Sequence, residues 1–153
     1  MNIIIDFLEK VSQMISSWNN GWKYSCMEEF VLKNGKTFKV GNGKVKRGKV
    51  KECFKNAFHL ADSGSGLVYV EGYATSKGLP FPVLHAWCVD SKGNILDPTW
   101  KDGEEYYGVP FDMGFVCRTI LRRKKFGVID NCEDGFPLLS GQHIDFLYKG
   151  EMK

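Results

Sequence analysis

A predicted β-hairpin over residues 83–98 constrains the fold of this chain more than any other segment. Two runs rich in apolar residues lie on either side of the turn sequence Asp90-Ser91-Lys92-Gly93. That sequence suits a type I turn followed by a glycine in the left-handed region, which gives the three-residue loop Ser91–Gly93 with a bulge. The loop length decides which residues stand opposite each other, because side chains alternate between the two faces of a sheet.

The predicted register brings a histidine and an aspartate to one face of the sheet. With a loop of three residues, Trp87 stands opposite Asp97. By the same count, His85 stands opposite Thr99. Asp97 is then a diagonal neighbour of His85, about 7–8 Å away at the backbone and within side-chain reach. A carboxylate beside an imidazole fixes the tautomer of the ring and raises its basicity.

A cysteine opens the predicted helix that precedes this hairpin. Apolar residues recur at helical spacing between Glu52 and Asp62, and Ser63-Gly64-Ser65-Gly66 ends the pattern. Cys53 therefore lies at a helix N-terminus, where unpaired backbone amides and the helix dipole stabilise a thiolate. Lys49 and Lys51 add positive charge just before it. Such surroundings lower a cysteine pKa, although an isolated cysteine on a helix is more often a small core residue.

Cysteine, histidine and aspartate in this order complete the pattern of thiol acyl-transfer catalysis. The segment resembles the transglutaminase-like superfamily, the papain-like thiol enzymes that include transglutaminases and microbial cysteine proteases. The resemblance covers about residues 50–100 and depends on three features: Cys53 opening a helix, His85-Ala86-Trp87 in a strand, and Asp97-Pro98-Thr99-Trp100 after the next strand. It implies that Cys53 is the nucleophile, His85 the base and acid, and Asp97 the residue that orients His85.

The resemblance also implies a papain/transglutaminase-like core, in which the helix that carries the cysteine packs on an antiparallel β-sheet. Phe54 stands where the family commonly has a tryptophan after the cysteine. The backbone amide of Cys53 is one expected donor of an oxyanion hole. The candidates for further oxyanion or substrate contacts are Asn56, Trp22 and Trp87.

The remaining segments predict a single α+β domain over residues 1–153. Residues 1–18 have the periodicity of an amphipathic helix. Residues 30–40 predict a hairpin around Asn34-Gly35, because Asn-Gly between apolar runs is a strong hairpin signal. Further strands are predicted at 67–74, 106–111 and 115–121, and a turn or solvated edge at 122–125. Glu71 and Asp90 are interpreted as surface or turn residues.

Composition bounds the class of protein. A chain of 153 residues, 43% of them hydrophobic and 14% aromatic, has the size and content of one folded domain. The sequence contains no run of 18 apolar residues, so no membrane-spanning helix is predicted. The N-terminus lacks the features of a signal peptide. Five cysteines without a CxxC pair favour reduced thiols in a cytoplasmic protein and argue against bound metal.

A basic segment precedes the cysteine. Residues 33–51 contain eight basic residues and no acidic one. Such a segment is either a solvated face or a rim that attracts an anionic partner or substrate. The absence of aromatic residues in 41–51 argues against a nucleic-acid partner.

These observations predict a small thiol hydrolase or acyltransferase that acts on an amide, peptide or isopeptide bond of a protein or peptide substrate, without a cofactor. One alternative is a non-enzymatic binding or inhibitor module with the same fold. A second is a metal-bound hydrolase using Cys53, His85 and Cys88, which the spacing does not support. A third takes His59 as the base, six residues beyond Cys53 and on a poorly placed helix face.

Overall fold

The computed structural model describes residues 2–18, 21–41, 43–142 and 144–152. Within these ranges the chain forms five α-helices and five β-strands, which confirms the predicted α+β class. The helices are α1 (Ile3–Ile15), α2 (Met27–Asn34), α3 (Cys53–Asp62), α4 (Met113–Arg123) and α5 (Pro137–Ser140). The strands are β1 (Lys36–Val40), β2 (Val68–Ser76), β3 (Val83–Val89), β4 (Asn94–Leu96) and β5 (Gly103–Phe111). None of the helices in the described part of the chain has the length and apolar character needed to cross a membrane.

The five strands close into a barrel in the order β1-β4-β3-β2-β5. All neighbouring strands are antiparallel except β1 and β4, which run parallel. The observed sheet is therefore mainly antiparallel, as predicted, and it closes into a barrel. Closure lets β5 pair with both β1 and β2, so that each strand of the barrel has two neighbours.

The barrel separates two apolar cores. The inner core has side chains from all five strands, among them Phe38, Val70, Trp87, Ile95 and Tyr106. The outer core lies between the helices and the outer face of β2, β3 and β5. Because side chains alternate along a strand, His85 and Trp87 point into the barrel, whereas Ala86 and Cys88 face α3.

The predicted helices at residues 1–18 and 52–62 are confirmed as α1 and α3, and the predicted strand at 67–74 as β2. The hairpin predicted at residues 30–40 is wrong, because α2 occupies its first half. The Cys26 sulfur caps this helix by accepting the amide of Glu29 at 3.4 Å. Glu29 also binds Lys33 one turn later at 2.8 Å, a spacing that supports helices. Only the second half of the segment, Lys36–Val40, forms a strand.

The strand predicted at residues 115–121 is also wrong, since this segment lies in α4. The Asp112 carboxylate caps the helix by accepting the amide of Phe115 at 2.9 Å. Phe115, Val116 and Thr119 then share its buried face, a helical spacing. Arg123, predicted in a solvated turn, ends α4 with a side chain only 5% exposed and bound to Glu133 at 2.7 Å.

Candidate functional site

The β3–β4 hairpin has the register that its turn sequence predicts. Val89 pairs with Ile95, so Asp90 stands opposite Asn94, and the Asp90 amide donates to the Asn94 carbonyl at 3.0 Å. Gly93 has φ +80°, the left-handed conformation expected at the bulge. The interpretation of Asp90 as a turn residue is confirmed.

This register brings His85 and Asp97 into contact inside the barrel. The His85 Nε2 atom lies 2.8 Å from Asp97 Oδ2, and the two residues are only 1% and 7% exposed. An ionised carboxylate accepts hydrogen bonds but cannot donate one, so Nε2 carries the proton. In the neutral form of the ring, the Nδ1 atom then carries the lone pair.

Four donors surround the Asp97 carboxylate. Oδ1 accepts the backbone amides of Thr99 at 2.8 Å and Trp100 at 2.9 Å. Oδ2 accepts His85 and also the Tyr106 hydroxyl, each at 2.8 Å. Burial alone would raise the pKa of Asp97, but the bond and charge of His85 and the two backbone amides outweigh it and lower the pKa. Asp97 is therefore held as a carboxylate at neutral pH.

Two aromatic residues complete the surroundings of His85. The Trp100 ring stacks on the imidazole with centroids 3.8 Å apart and an interplanar angle of 14°. Tyr106 projects from β5, and burial and the nearby Asp97 charge raise its pKa, so its hydroxyl remains a donor. Sequence reasoning missed Tyr106, because its contact with Asp97 requires the barrel to close. Trp100 lies in the motif that points to Asp97, but its stacking on His85 is visible only in the structure.

Cys53 is the first residue of α3, as predicted, and is half-buried. Burial raises its pKa to about 11, and the negative charges of Glu71 and Asp97 act in the same direction. The backbone amides of Ala86 and Phe54 lower it, but by less. The expectation of a lowered cysteine pKa is therefore wrong for the resting protein, since desolvation outweighs the helix terminus. The resting sulfur is a neutral thiol.

The Cys53 thiol lies at the wall of the barrel beside β3. It interacts with the backbone N–H of Ala86, the residue that follows His85. It also lies within the electrostatic field of Glu71 on the outer face and of Asp97 on the inner face. The hydrogen bonds of the described residues do not include one between Cys53 and His85.

Glu71 is a second buried carboxyl group beside the thiol. It is fully buried and accepts the Tyr69 hydroxyl at 2.5 Å, the Val128 amide at 2.6 Å and the Ile129 amide at 3.1 Å. The interpretation of Glu71 as a surface residue is wrong: the side chain is fully buried and bound by three donors, and burial still raises its pKa because it outweighs these hydrogen bonds. The side chain fixes the loop after α4 against the barrel.

The predicted oxyanion and substrate residues have other contacts. Both N–H groups of the Asn56 carboxamide are used, by the Lys49 carbonyl at 2.9 Å and the Thr99 hydroxyl at 3.0 Å. Trp87 is fully buried in the barrel, where its ring packs edge-on against Tyr106. The Trp22 ring packs against Phe136, with centroids 6.0 Å apart. The oxyanion and substrate roles of Asn56, Trp22 and Trp87 therefore stay predictions.

The backbone at the start of α3 offers donors instead. The first amides of a helix have no intrahelical acceptor. Glu52 precedes Cys53 at the cap position, and its side chain makes no hydrogen bond to these amides. The N–H groups of Cys53 and Phe54 are thus placed beside the sulfur at the positive end of the helix dipole.

The geometry does not favour the alternatives that use Cys88 or His59. Cys88 donates its thiol hydrogen to the Ala57 carbonyl at 3.2 Å and stands on the face of β3 opposite to His85. His59 is exposed on α3 and packs against Phe58 and Phe126, with ring centroids 5.5 Å away. Among the described residues, no group of three or more His, Cys, Asp or Glu is arranged to hold a metal ion.

No known protein family, curated protein or solved structure matches this chain.

Proposed function

We propose that this protein is a thiol hydrolase or acyltransferase that acts on an amide, peptide or isopeptide bond. Cys53 is the nucleophile, His85 the general base and acid, and Asp97 the residue that orients His85. The observation that carries the proposal is the buried His85–Asp97 hydrogen bond of 2.8 Å. It is supported by Cys53, which opens α3 and whose pKa responds to the charge of Asp97. We also propose that the helix and barrel form a papain/transglutaminase-like core.

The first step forms a thioester. The Nδ1 atom of His85 takes the thiol proton of Cys53 while the sulfur bonds to the carbonyl carbon and the carbonyl π electrons move to oxygen. When the tetrahedral intermediate collapses, the C–N bond breaks and His85 gives its proton to the leaving amine. The acyl group stays on the sulfur.

The second step releases the acyl group. Water, or an amine in acyl transfer, gives a proton to Nδ1 of His85 as it attacks the thioester carbon. The C–S bond then breaks and His85 returns the proton to the Cys53 sulfur. No oxidant or reductant takes part, and the enzyme ends in its starting state.

The electrostatics of the site support proton transfer during attack rather than a stored thiolate. With a pKa of about 11, the thiol is almost entirely protonated at neutral pH. Asp97 supplies the negative charge that stabilises the imidazolium as it forms. Distances between catalytic groups are often long in a free enzyme and shorten when substrate binds, which accommodates the missing Cys53–His85 hydrogen bond.

Turnover of an activated ester tests this proposal. We expect p-nitrophenyl acetate to acetylate Cys53, detected by mass spectrometry of the peptide that contains it. Cys53→Ala should lose both acetylation and turnover while keeping its melting temperature, because a half-buried Cys→Ala change removes little packing. Cys132→Ala is the matched control, since this cysteine is exposed and outside the site.

Full turnover by a folded Cys53→Ala variant would refute the mechanism. Absence of acetylation at Cys53 in the wild-type protein would favour the non-enzymatic binding module.

A further inference from the structure

A basic groove lies next to the proposed catalytic site. It has a volume of about 320 Å³ and runs between the outer surface of α3 and the loop that precedes it. Lys46 and Arg47 from the loop line it, as do Asn56 and His59 from the helix and Pro98 from the segment after β4. Pro98 directly follows Asp97, and Asn56 is one helical turn beyond Cys53.

The groove presents positive charge without a counter-charge. Among the described residues that line it, none is acidic. Within the described ranges, neither Lys46 nor Arg47 forms an ion pair. Glu52, which lies nearby on the chain, interacts with Lys49 and Lys55 instead. Lys46 and Arg47 are therefore available to an anion from outside the chain.

The positive charge of the groove reaches the catalytic residues. The Arg47 charge lowers the pKa of Tyr106, against the larger effect of burial. Tyr106 donates directly to Asp97, so Arg47 acts on the same hydrogen-bond chain that holds His85. Pro98, which lines the groove, directly follows Asp97 in the chain, so a negative group bound in the groove lies next to the catalytic segment.

The loop that carries the two cations is fixed before any ligand binds. The Gly48 amide donates to the Pro98 carbonyl at 2.7 Å. The Asn56 carboxamide holds the Lys49 carbonyl and the Thr99 hydroxyl. A side chain at position 48 would overlap the Asn56 carboxamide, so glycine is required for this close approach. A preformed loop reduces the entropy lost on binding.

We propose that this groove binds an acidic group of the substrate, a carboxylate or a phosphate, and so selects amides that carry one. This inference rests on the proposed function of Cys53. Because a helix rises 1.5 Å per residue, Asn56 and His59 lie about 4.5 and 9 Å beyond Cys53 along α3. The groove therefore lies about one to two helical turns beyond Cys53 along α3. Within the basic segment 33–51, for which an anionic partner is predicted, the proposal thus assigns binding of the anion to Lys46 and Arg47.

Three alkylating reagents of nearly equal shape test this selection. N-bromoacetyl-β-alanine carries a carboxylate, N-bromoacetyl-aminoethyl phosphate carries a phosphate, and N-bromoacetyl-β-alaninamide is neutral. The rate at Cys53 is measured by peptide mass spectrometry at low salt, and each rate is divided by that of N-acetylcysteine with the same reagent. We expect an anionic reagent to react about tenfold faster than the neutral one, since each exposed charge pair contributes modestly. High salt should reduce the ratio.

Lys46→Gln/Arg47→Gln should bring the ratio of anionic to neutral rates close to one. Lys39→Gln/Lys44→Gln removes the same charge from exposed residues outside the groove and should keep the ratio. The anionic reagent with the higher ratio identifies the group that the groove prefers. A ratio of one in the wild-type protein, or an equal loss in both double variants, would overturn the proposal.

The neutral reagent separates this proposal from the proposed function. If its rate at Cys53 is the same in the wild-type protein and in His85→Ala, the catalytic pair fails whatever the groove does. If the neutral rate falls in His85→Ala but the ratio of anionic to neutral rates in the wild-type protein is one, only the groove proposal fails.

Discussion

Replacing Tyr106 by phenylalanine isolates one hydrogen bond to the Asp97 carboxylate. The hydroxyl donates to Oδ2 at 2.8 Å, while the ring packs edge-on against Trp87 with centroids 5.0 Å apart. Phenylalanine keeps the ring and removes only the donor. A hydrogen bond to a charged group contributes about 1.5–3 kcal/mol, so we expect the free energy of unfolding to fall by about 2 kcal/mol at pH 7.

The sign of the pH dependence follows from the lowered pKa of Asp97. A carboxyl group whose pKa is lower in the folded protein stabilises it above the unfolded value, and that stability is lost as the pH falls through the folded value. Removing the Tyr106 donor moves the folded pKa back toward the ordinary 3.8. The difference between wild type and Tyr106→Phe should therefore be largest at neutral pH and shrink as the pH falls below about 3.8.

Urea unfolding at pH 7 and at pH 3 measures this difference directly. The matched control is Tyr107→Phe, because the Tyr107 hydroxyl donates to the neutral Leu32 carbonyl, also at 2.8 Å. That variant should lose about 1 kcal/mol at both pH values. An equal loss for Tyr106→Phe at both pH values would show that its hydroxyl does not act through the Asp97 charge.

Three further variants test the site. Asp97→Asn should lower ester turnover on the order of 10²–10⁴-fold, and less than His85→Ala, because asparagine does not stabilise an imidazolium; turnover equal to wild type would leave Asp97 as a turn residue only. Glu71→Gln should lower stability to urea by about 1–3 kcal/mol, since an amide cannot accept as many donors, and should lower the pKa of Cys53 by removing a negative charge; an unchanged pH dependence of Cys53 alkylation would contradict this. Asn56→Ala should reduce turnover by less than the 10²–10³-fold typical of an oxyanion donor, and a loss of that size would restore its predicted role.

The sequence predicted the part of the site that depends on local pairing. The turn at Asp90–Gly93 determines the register of β3 and β4, and this register alone brings His85 and Asp97 together. The start of α3 at Cys53 was likewise readable from helical spacing. Both features depend on residues close together in the chain, where turn length and periodicity are reliable signals.

The features that escaped sequence reasoning depend on residues far apart in the chain. Tyr106 reaches Asp97 because β5 closes the barrel. The buried Glu71 carboxylate accepts the amides of Val128 and Ile129, which lie 57 and 58 residues further along the chain. The mistaken hairpin at Asn34-Gly35 has a different cause. Helix capping by Cys26 and the Glu29–Lys33 pair outweighed a strong turn signal.

The pH dependence of Cys53 alkylation by iodoacetamide, in the wild-type protein and in His85→Ala, tests most directly whether thiol and imidazole act as a pair. Cys132 in the same samples serves as an exposed reference thiol. If His85→Ala fails to fold, the same profile is measured in Asp97→Asn, which retains the imidazole but lacks the carboxylate that orients it. If His85 takes the proton, the wild-type rate levels off far below the thiol pKa of about 11. The His85→Ala rate should instead rise about tenfold per pH unit toward that value. Coincident profiles for the two proteins would contradict the proposed catalytic pair.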